Sequence, residues 1–302
     1  MQQKPLIILA IITLSLATSS AQDKPLAFIK GADVSFLAEI EDMGGKFYDK
    51  GVNKDLLDLF KDHGFNYVRL KIWHTPRKDY NNLQKVLLTA QRAKAKGFRF
   101  LLNFHYSDWW ADPQKQTKPA AWKDLSFEIL QDSVEHYTRG VISTLKDHSV
   151  LPDMVQIGNE ITPGMLWDDG KVGGEFDTEE QWGKLCRLIE SGITGVQSSL
   201  DSSENVQIMI HLDRGGDNRG TRWFFDHLLA NPKQLLKSLG VGEIRPQAAV
   251  LACRYVDAQL LLGKVARADL IGVGPRFHAQ SALQTAFFIQ GHRHGRLLVD
   301  HR

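Results

Sequence analysis

Asn159 and Glu160 close the stretch D-M-V-Q-I-G-N-E (153–160), where a short apolar run ends in an amide and a carboxyl group. Met154, Val155 and Ile157 read as a strand, and Gly158 removes a side chain where the backbone must bend. A carboxylate at the C-terminal end of a barrel strand is where barrel enzymes keep their chemistry. An amide beside a carboxyl group suits sugar cleavage: the acid protonates the leaving oxygen, and the amide holds a ring hydroxyl. The same pair could equally be a loop Asn-Glu that caps the next helix. The surroundings have to decide.

Elements able to position such a pair recur along the chain. Strand-like apolar runs at 27–34, 67–73, 98–104, 153–157 and 206–211 alternate with helical periodicity at 53–63, 82–96, 127–147 and 178–197. Gly64 and Gly97 stand as helix stops, each followed by the same turn into a strand (G-F-N-Y and G-F-R-F). Such alternation implies repeated βα units and a parallel sheet. Five units in register favour an α/β fold of the (β/α)8 TIM-barrel type. A doubly wound sheet is the alternative, and the lack of a Gly-rich phosphate fingerprint after the first strand counts against it.

In a barrel, the residues just after each strand gather at one mouth. Here those residues are Asp33-Val34-Ser35, Arg69 with Trp73-His74, the run 103–110 (N-F-H-Y-S-D-W-W), Asn159-Glu160, and the run 211–217 (H-L-D-R-G-G-D). Each has a plainer reading. Arg69 could be an ion-pair partner inside the barrel, or could orient a catalytic carboxylate and hold it ionised. His105 and His211 could be satisfied polar groups, and with Asp108 they could bind a metal, but no tight spacing such as H-E-x-x-H supports that. Trp109 and Trp110 fit a packed loop anchor or a platform for a sugar ring. Asp213 and Asp217 could cap the following helix or touch a ligand.

Composition narrows the class. The 302 residues are 43% hydrophobic and 24% charged, which describes a globular chain with a sizeable core. A formal net charge of +2 without a lysine-arginine run argues against nucleic acid as a partner. Lys4, the apolar run 6–17 and Thr18-Ser19-Ser20-Ala21 read as a secretory signal peptide (1–21) cut near Ala21. No second long apolar segment follows, so the expectation is an exported, monomeric protein that does not enter a membrane. Cys186 sits in a helical pattern and nothing draws Cys253 towards it, so two unpaired thiols are expected. No oxygen-ligand loop points to calcium, and no cofactor or metal is expected.

G-A-D-V-S (31–35), Y-V-R-L-K-I-W (67–73), N-F-H-Y-S-D-W-W-A-D-P (103–113), K-P-A-A-W (118–122), Q-I-G-N-E (156–160), I-T-P-G-M-L-W (161–167) and H-L-D-R-G-G-D (211–217) together resemble glycoside hydrolase family 53, the arabinogalactan endo-β-1,4-galactanases. The resemblance runs from about Gly31 to about Ala230. It implies a (β/α)8 barrel acting on β-1,4-galactan with retention of anomeric configuration. It makes Glu160 the acid/base and Asn159 the contact to the hydroxyl beside the reacting carbon. Arg69, His105 and His211 then support the nucleophile and the subsite at the cleaved bond, with Asp108, Trp109, Trp110 and Asp213 as further sugar contacts.

One departure stands out. The family carries its nucleophilic glutamate in a run like V-V-E-T-[AS]-Y after the seventh strand, and no such run exists here. The only glutamate beyond Asn231 is Glu243. Asp300, in L-L-V-D (297–300), is the remaining weak candidate for a nucleophile at a strand end. Arginine and histidine crowd 276–302, and the segment 231–302 reads as a divergent tail, the remainder of the barrel in a shifted reading frame. The expectation is therefore a barrel (22–230) that is aberrant at its C-terminal end. Two other functions follow from the same residues: a galactan-binding barrel that cannot cut, and a barrel glycosidase of another β-1,4-glycan specificity.

Overall fold

The computed structural model describes residues 28–230, together with two short strands at 254–256 and 286–289. Strand β1 (Ile29–Asp33) leads through α1 (Leu37–Asp42) and a hairpin of β2 (Phe47–Asp49) and β3 (Val52–Lys54) to α2 (Leu56–Asp62). Then come β4 (Tyr67–Ile72), α3 (Leu83–Ala95), β5 (Arg99–Phe104), α4 (Phe127–Asp147) and β6 (Met154–Ile157). A second small hairpin, β7 (Gly164–Met165) and β8 (Gly170–Lys171), precedes α5 (Glu179–Gln197), β9 (Gln207–Met209) and α6 (Asn218–Ala230). The two remaining strands are β10 (Arg254–Val256) and β11 (Ala286–Ile289).

The main sheet runs β10-β11-β1-β4-β5-β6-β9. From β1 to β9 the strands are parallel and lie side by side in chain order. A doubly wound sheet would reverse its order at a switch point; this one does not, and it forms five units of an incomplete (β/α)8 barrel. On the other side of β1 the pairing changes, with β11 antiparallel to β1 and β10 antiparallel to β11.

Strand alternation sorts the side chains into two environments. Val68, Leu70 and Ile72 of β4, Phe100, Leu102 and Phe104 of β5, and Val155 and Ile157 of β6 are all buried in one apolar cluster. The same cluster takes in Val86, Leu87 and Ala90 of α3, Val134, Val141 and Ile142 of α4, and Leu185, Leu188 and Ile189 of α5. The opposite face points into the barrel. Tyr67, Leu101, Met154 and Met209 make a separate apolar floor there. Two residues further along the same strands stand Arg69, Asn103 and Gln156, buried and polar. The barrel is thus dry below and polar above, at the strands' C-terminal ends.

Each main helix begins where a short polar side chain captures its free amides. Asn82 accepts from Lys85 N–H before α3, Ser126 from Ile129 N–H before α4, and Thr178 from Gln181 N–H before α5. The helix expected over 53–63 starts later than its apolar spacing suggested. Asp55 accepts from the Leu57 and Asp58 amides and nucleates α2 at Leu56, while residues 52–54 pair with β2 instead. Cys186 is a free, buried thiol whose Sγ lies 3.6 Å from the Leu228 carbonyl oxygen. The expected signal peptide (1–21), Cys253, Glu243 and Asp300 lie outside the described residues.

Candidate active site

Gly158 ends β6 at φ +76°, and a Cβ there would stand 2.6 Å from Ile161 Cγ2, so only glycine fits the turn. Past that turn the chain presents Asn159 and then Glu160. Glu160 itself sits at φ +51°, a left-handed conformation that costs a residue with a side chain about 1–2 kcal/mol.

Asn159 is 3% exposed, at the centre of a buried network. Arg69 Nη2 donates to its Oδ1 at 2.7 Å, and Asn103 Nδ2 approaches the same oxygen at 3.2 Å. Its own Nδ2 donates to the Ala111 carbonyl at 2.8 Å. Gln156 locks the layer beneath: its Oε1 accepts from Arg69 Nη2 at 3.2 Å, and its Nε2 donates to Asn103 Oδ1 at 2.7 Å. Arg69 completes its set with a 2.9 Å ion pair to Asp33 Oδ2. Burial opposes the charge on Asp33, but Arg69, Lys71 and the bonds from Ser35 outweigh it and hold the carboxyl below its ordinary range. Arg69 is thus an ion-pair partner inside the barrel, to Asp33, and it also fixes the Asn159 amide beside Glu160.

Both histidines stand at this layer. His105 Nδ1 accepts from the Ala111 N–H at 3.1 Å, which leaves its hydrogen on Nε2. That Nε2 is buried with no partner among the described residues. His211 Nδ1 lies 3.3 Å from the Glu160 amide nitrogen and 3.2 Å from Asn159 Oδ1. Burial, reinforced by nearby cationic groups that include Arg69, holds both imidazoles well below their ordinary pKa, so both are neutral. They do not form a metal site with Asp108. Among the described residues no cluster of three His, Cys, Asp or Glu side chains could hold a metal ion.

The Glu160 carboxyl accepts no hydrogen bond from the described residues. Burial pushes its pKa up to about 7; Arg69 opposes this, while Asp213 and Asp112 add to it. A carboxylic acid that keeps its proton near neutral pH is suited to hand that proton to a leaving oxygen.

The expected sugar contacts divide. Trp109 is 47% exposed, and its ring lies 4.6 Å from that of Trp73 at a 32° tilt, so much of it remains open at the mouth. Trp110 packs inward against Phe36, Trp73 and His105. The Lys71 ammonium sits 3.5 Å from the Phe36 ring centroid and 4.0 Å from that of Trp110. Burial drives the Lys71 pKa down to about 7, against the attraction of Asp33.

Asp108, expected as a sugar contact, accepts from the Thr75 and Ala120 amides at 2.9 and 2.8 Å, which pins two loops together at the mouth. Asp213 accepts from the Thr162 hydroxyl beside Glu160 and does not cap α6; Asp217 does, through the Gly220 amide at 2.8 Å.

Three residues of the site were given no role by the sequence reading, although Asn103 opens the run 103–110 that it placed at the mouth. Asn103 and Gln156 carried a signal, since each is a polar residue on the inward phase of an apolar strand. Gln116, in the loop after β5, carried none: its buried side-chain amide meets the Asn159 carbonyl at 2.8 Å only because the chain folds back.

The model of glycosyl hydrolase family 53 matches residues 29–237. A protein from Niallia circulans, described as an uncharacterized protein in the bgaB 5′ region, is 53% identical over 209 residues, 68% of this chain and 56% of its own length. The endo-beta-1,4-galactanase of Bacillus subtilis (strain 168) is 36% identical over 193 residues, 61% of this chain and 42% of its own. Among solved structures, the Ignisphaera aggregans GH53 catalytic domain superposes with a TM-score of 0.62 at 38% identity, covering 70% of this chain and 58% of that one. The chain spans about half the length of the curated relatives it matches.

Proposed function

The chain belongs to glycosyl hydrolase family 53, and from that membership we propose that it is an endo-acting glycosidase that hydrolyses β-1,4-galactosidic bonds in (arabino)galactan with retention of configuration. The observation that carries the proposal is the Glu160 carboxyl just past β6, which accepts no hydrogen bond from the described residues, follows an amide locked by Arg69, and has its pKa pushed by burial up to about 7. Glu160 protonates the glycosidic oxygen as the bond breaks. Asn159, its oxygen held by Arg69, is fixed to meet a sugar hydroxyl, and Trp109 supplies a face for a neighbouring ring. The Bacillus subtilis relative is named for the same activity.

A retaining reaction also needs a second carboxylate about 5 Å from the first. Asp33 is committed to Arg69, and Asp300 lies outside the described residues. The absence of a V-E-T-like run beyond residue 230 favours one second reading, a barrel that binds galactan without cutting it.

The protein is further proposed to be a secreted monomer, exported by the signal peptide ending near Ala21, with the polysaccharide as its partner. No described helix is long and apolar enough to cross a membrane. Release of reducing ends from β-1,4-galactan, measured beside retardation in a galactan-containing gel, separates the readings. Cleavage that Glu160→Gln abolishes supports the hydrolase; retardation without cleavage replaces it with the binding barrel. Cleavage of mannan or cellulose in preference to galactan would overturn the substrate assignment.

A further inference from the structure

The backbone around Glu160 is held from two sides. Gln116, 2% exposed, directs its Nε2 at the Asn159 carbonyl (2.8 Å) and lies 3.4 Å from the Glu160 carbonyl. The same nitrogen reaches the Asp112 carbonyl at 3.2 Å, and the Gln116 backbone carbonyl accepts from Trp167 N–H at 2.8 Å. Opposite, the His211 carbonyl accepts from Ile161 N–H at 3.0 Å, and the His211 ring nitrogen lies 3.3 Å from the Glu160 amide nitrogen. The C=O and N–H of both peptide units flanking Glu160 are therefore within reach of just two residues. A side-chain-bearing residue at φ +51° persists only where its surroundings over-determine it. Gln116 supplies the carbonyl half of that restraint.

We propose that Gln116 is a positioning residue which, with His211, clamps the left-handed backbone of Glu160 and thereby aims its carboxyl into the cleft. The inference deepens the reading of Glu160 as proton donor and rests on it. Gln116 touches no reacting atom, so its effect has to appear in the behaviour of Glu160. Without the clamp, Glu160 can relax towards an ordinary conformation and carry its carboxyl into water. There desolvation no longer protects the proton, while Arg69, Asp213 and Asp112 act on it more weakly.

The test is a 13C NMR titration of the full chain labelled at glutamate Cδ, with Glu160 assigned by its loss in Glu160→Gln. In Gln116→Ala and in Gln116→Met, which keeps length without the donor, the Glu160 midpoint is expected to fall by about one unit towards the value for a solvated glutamate. Where the wild type cleaves galactan, kcat is expected to drop about 10–100-fold, with KM within about threefold. A Glu160 midpoint unchanged in both variants would overturn the proposal, even if their melting temperatures fell, since that pattern describes a loop anchor only. If Glu160→Gln retains turnover, the proton-donor reading fails instead, and the titration still decides whether Gln116 holds Glu160.

Discussion

Arg69 and Asn159, 90 residues apart in the chain, meet through a 2.7 Å hydrogen bond inside the barrel. The guanidinium also holds Asp33 at 2.9 Å, so one side chain joins the ends of β1, β4 and β6. Truncating one partner of a buried pair leaves the other charge uncompensated. Arg69→Met should lower unfolding free energy by about 3–5 kcal/mol, read from the urea midpoint, and adding Asp33→Asn should recover part of that loss. A wild-type midpoint for Arg69→Met would show that the network carries little of the fold.

Glu160→Gln keeps the shape and removes the transferable proton. Galactan cleavage should fall roughly 10²–10⁴-fold, the usual worth of a positioned acid, while retardation in a galactan gel stays near wild type. Equal loss of both would mean that the side chain binds rather than reacts.

The raised pKa of Glu160 sets the sign of two pH effects. In the proposed role of acid it is competent only while protonated, so the alkaline limb of kcat should fall through about pH 7. Its folded pKa lies above the ordinary glutamate value of 4.5, so the folded chain binds the extra proton between those values. The stability Glu160 contributes is therefore fully present below about 4.5 and lost as pH rises through about 7. Chemical denaturation at several pH values should lose that component in Glu160→Gln; an identical pH dependence in the two proteins would contradict the assignment.

Trp109 and Trp110 are adjacent in sequence but should respond differently. Trp109→Ala removes an exposed ring and should weaken galacto-oligosaccharide binding by about 1 kcal/mol, with little change in melting temperature. Trp110→Ala strips a ring from the inward cluster around Lys71 and should lower the melting temperature. Calorimetric titration and thermal scans of the two variants check the contrast.

At Gly158 the backbone is at φ +76°, with Ile161 Cγ2 2.6 Å from any added Cβ. Gly158→Ala should therefore destabilise by more than about 1 kcal/mol and disturb Glu160 as well. Gly44 has a similar φ of +79° but open space around it, so Gly44→Ala should cost less. A urea series on both variants gives the comparison.

Much of this protein was legible from residue order alone, because strand and helix periodicities are local. The runs 67–73 and 98–104 announced β4 and β5 nearly to their ends, the helical periodicity at 82–96 and 178–197 announced α3 and α5, and the D-M-V-Q-I-G-N-E stretch singled out Glu160. Residue order could not reveal what crosses between strands. That Arg69 pairs with Asp33 and also holds Asn159 emerged only when β1, β4 and β6 came side by side. That Asp108 ties two loops together through the Thr75 and Ala120 amides had no mark in residue order. Gln116 has no local signature, since the Asn159 and Glu160 carbonyls it holds lie more than 40 residues away and are backbone atoms. Side-chain type and spacing report on the few residues around them; burial and convergence of polar groups belong to the packed barrel, where distant segments exclude water together.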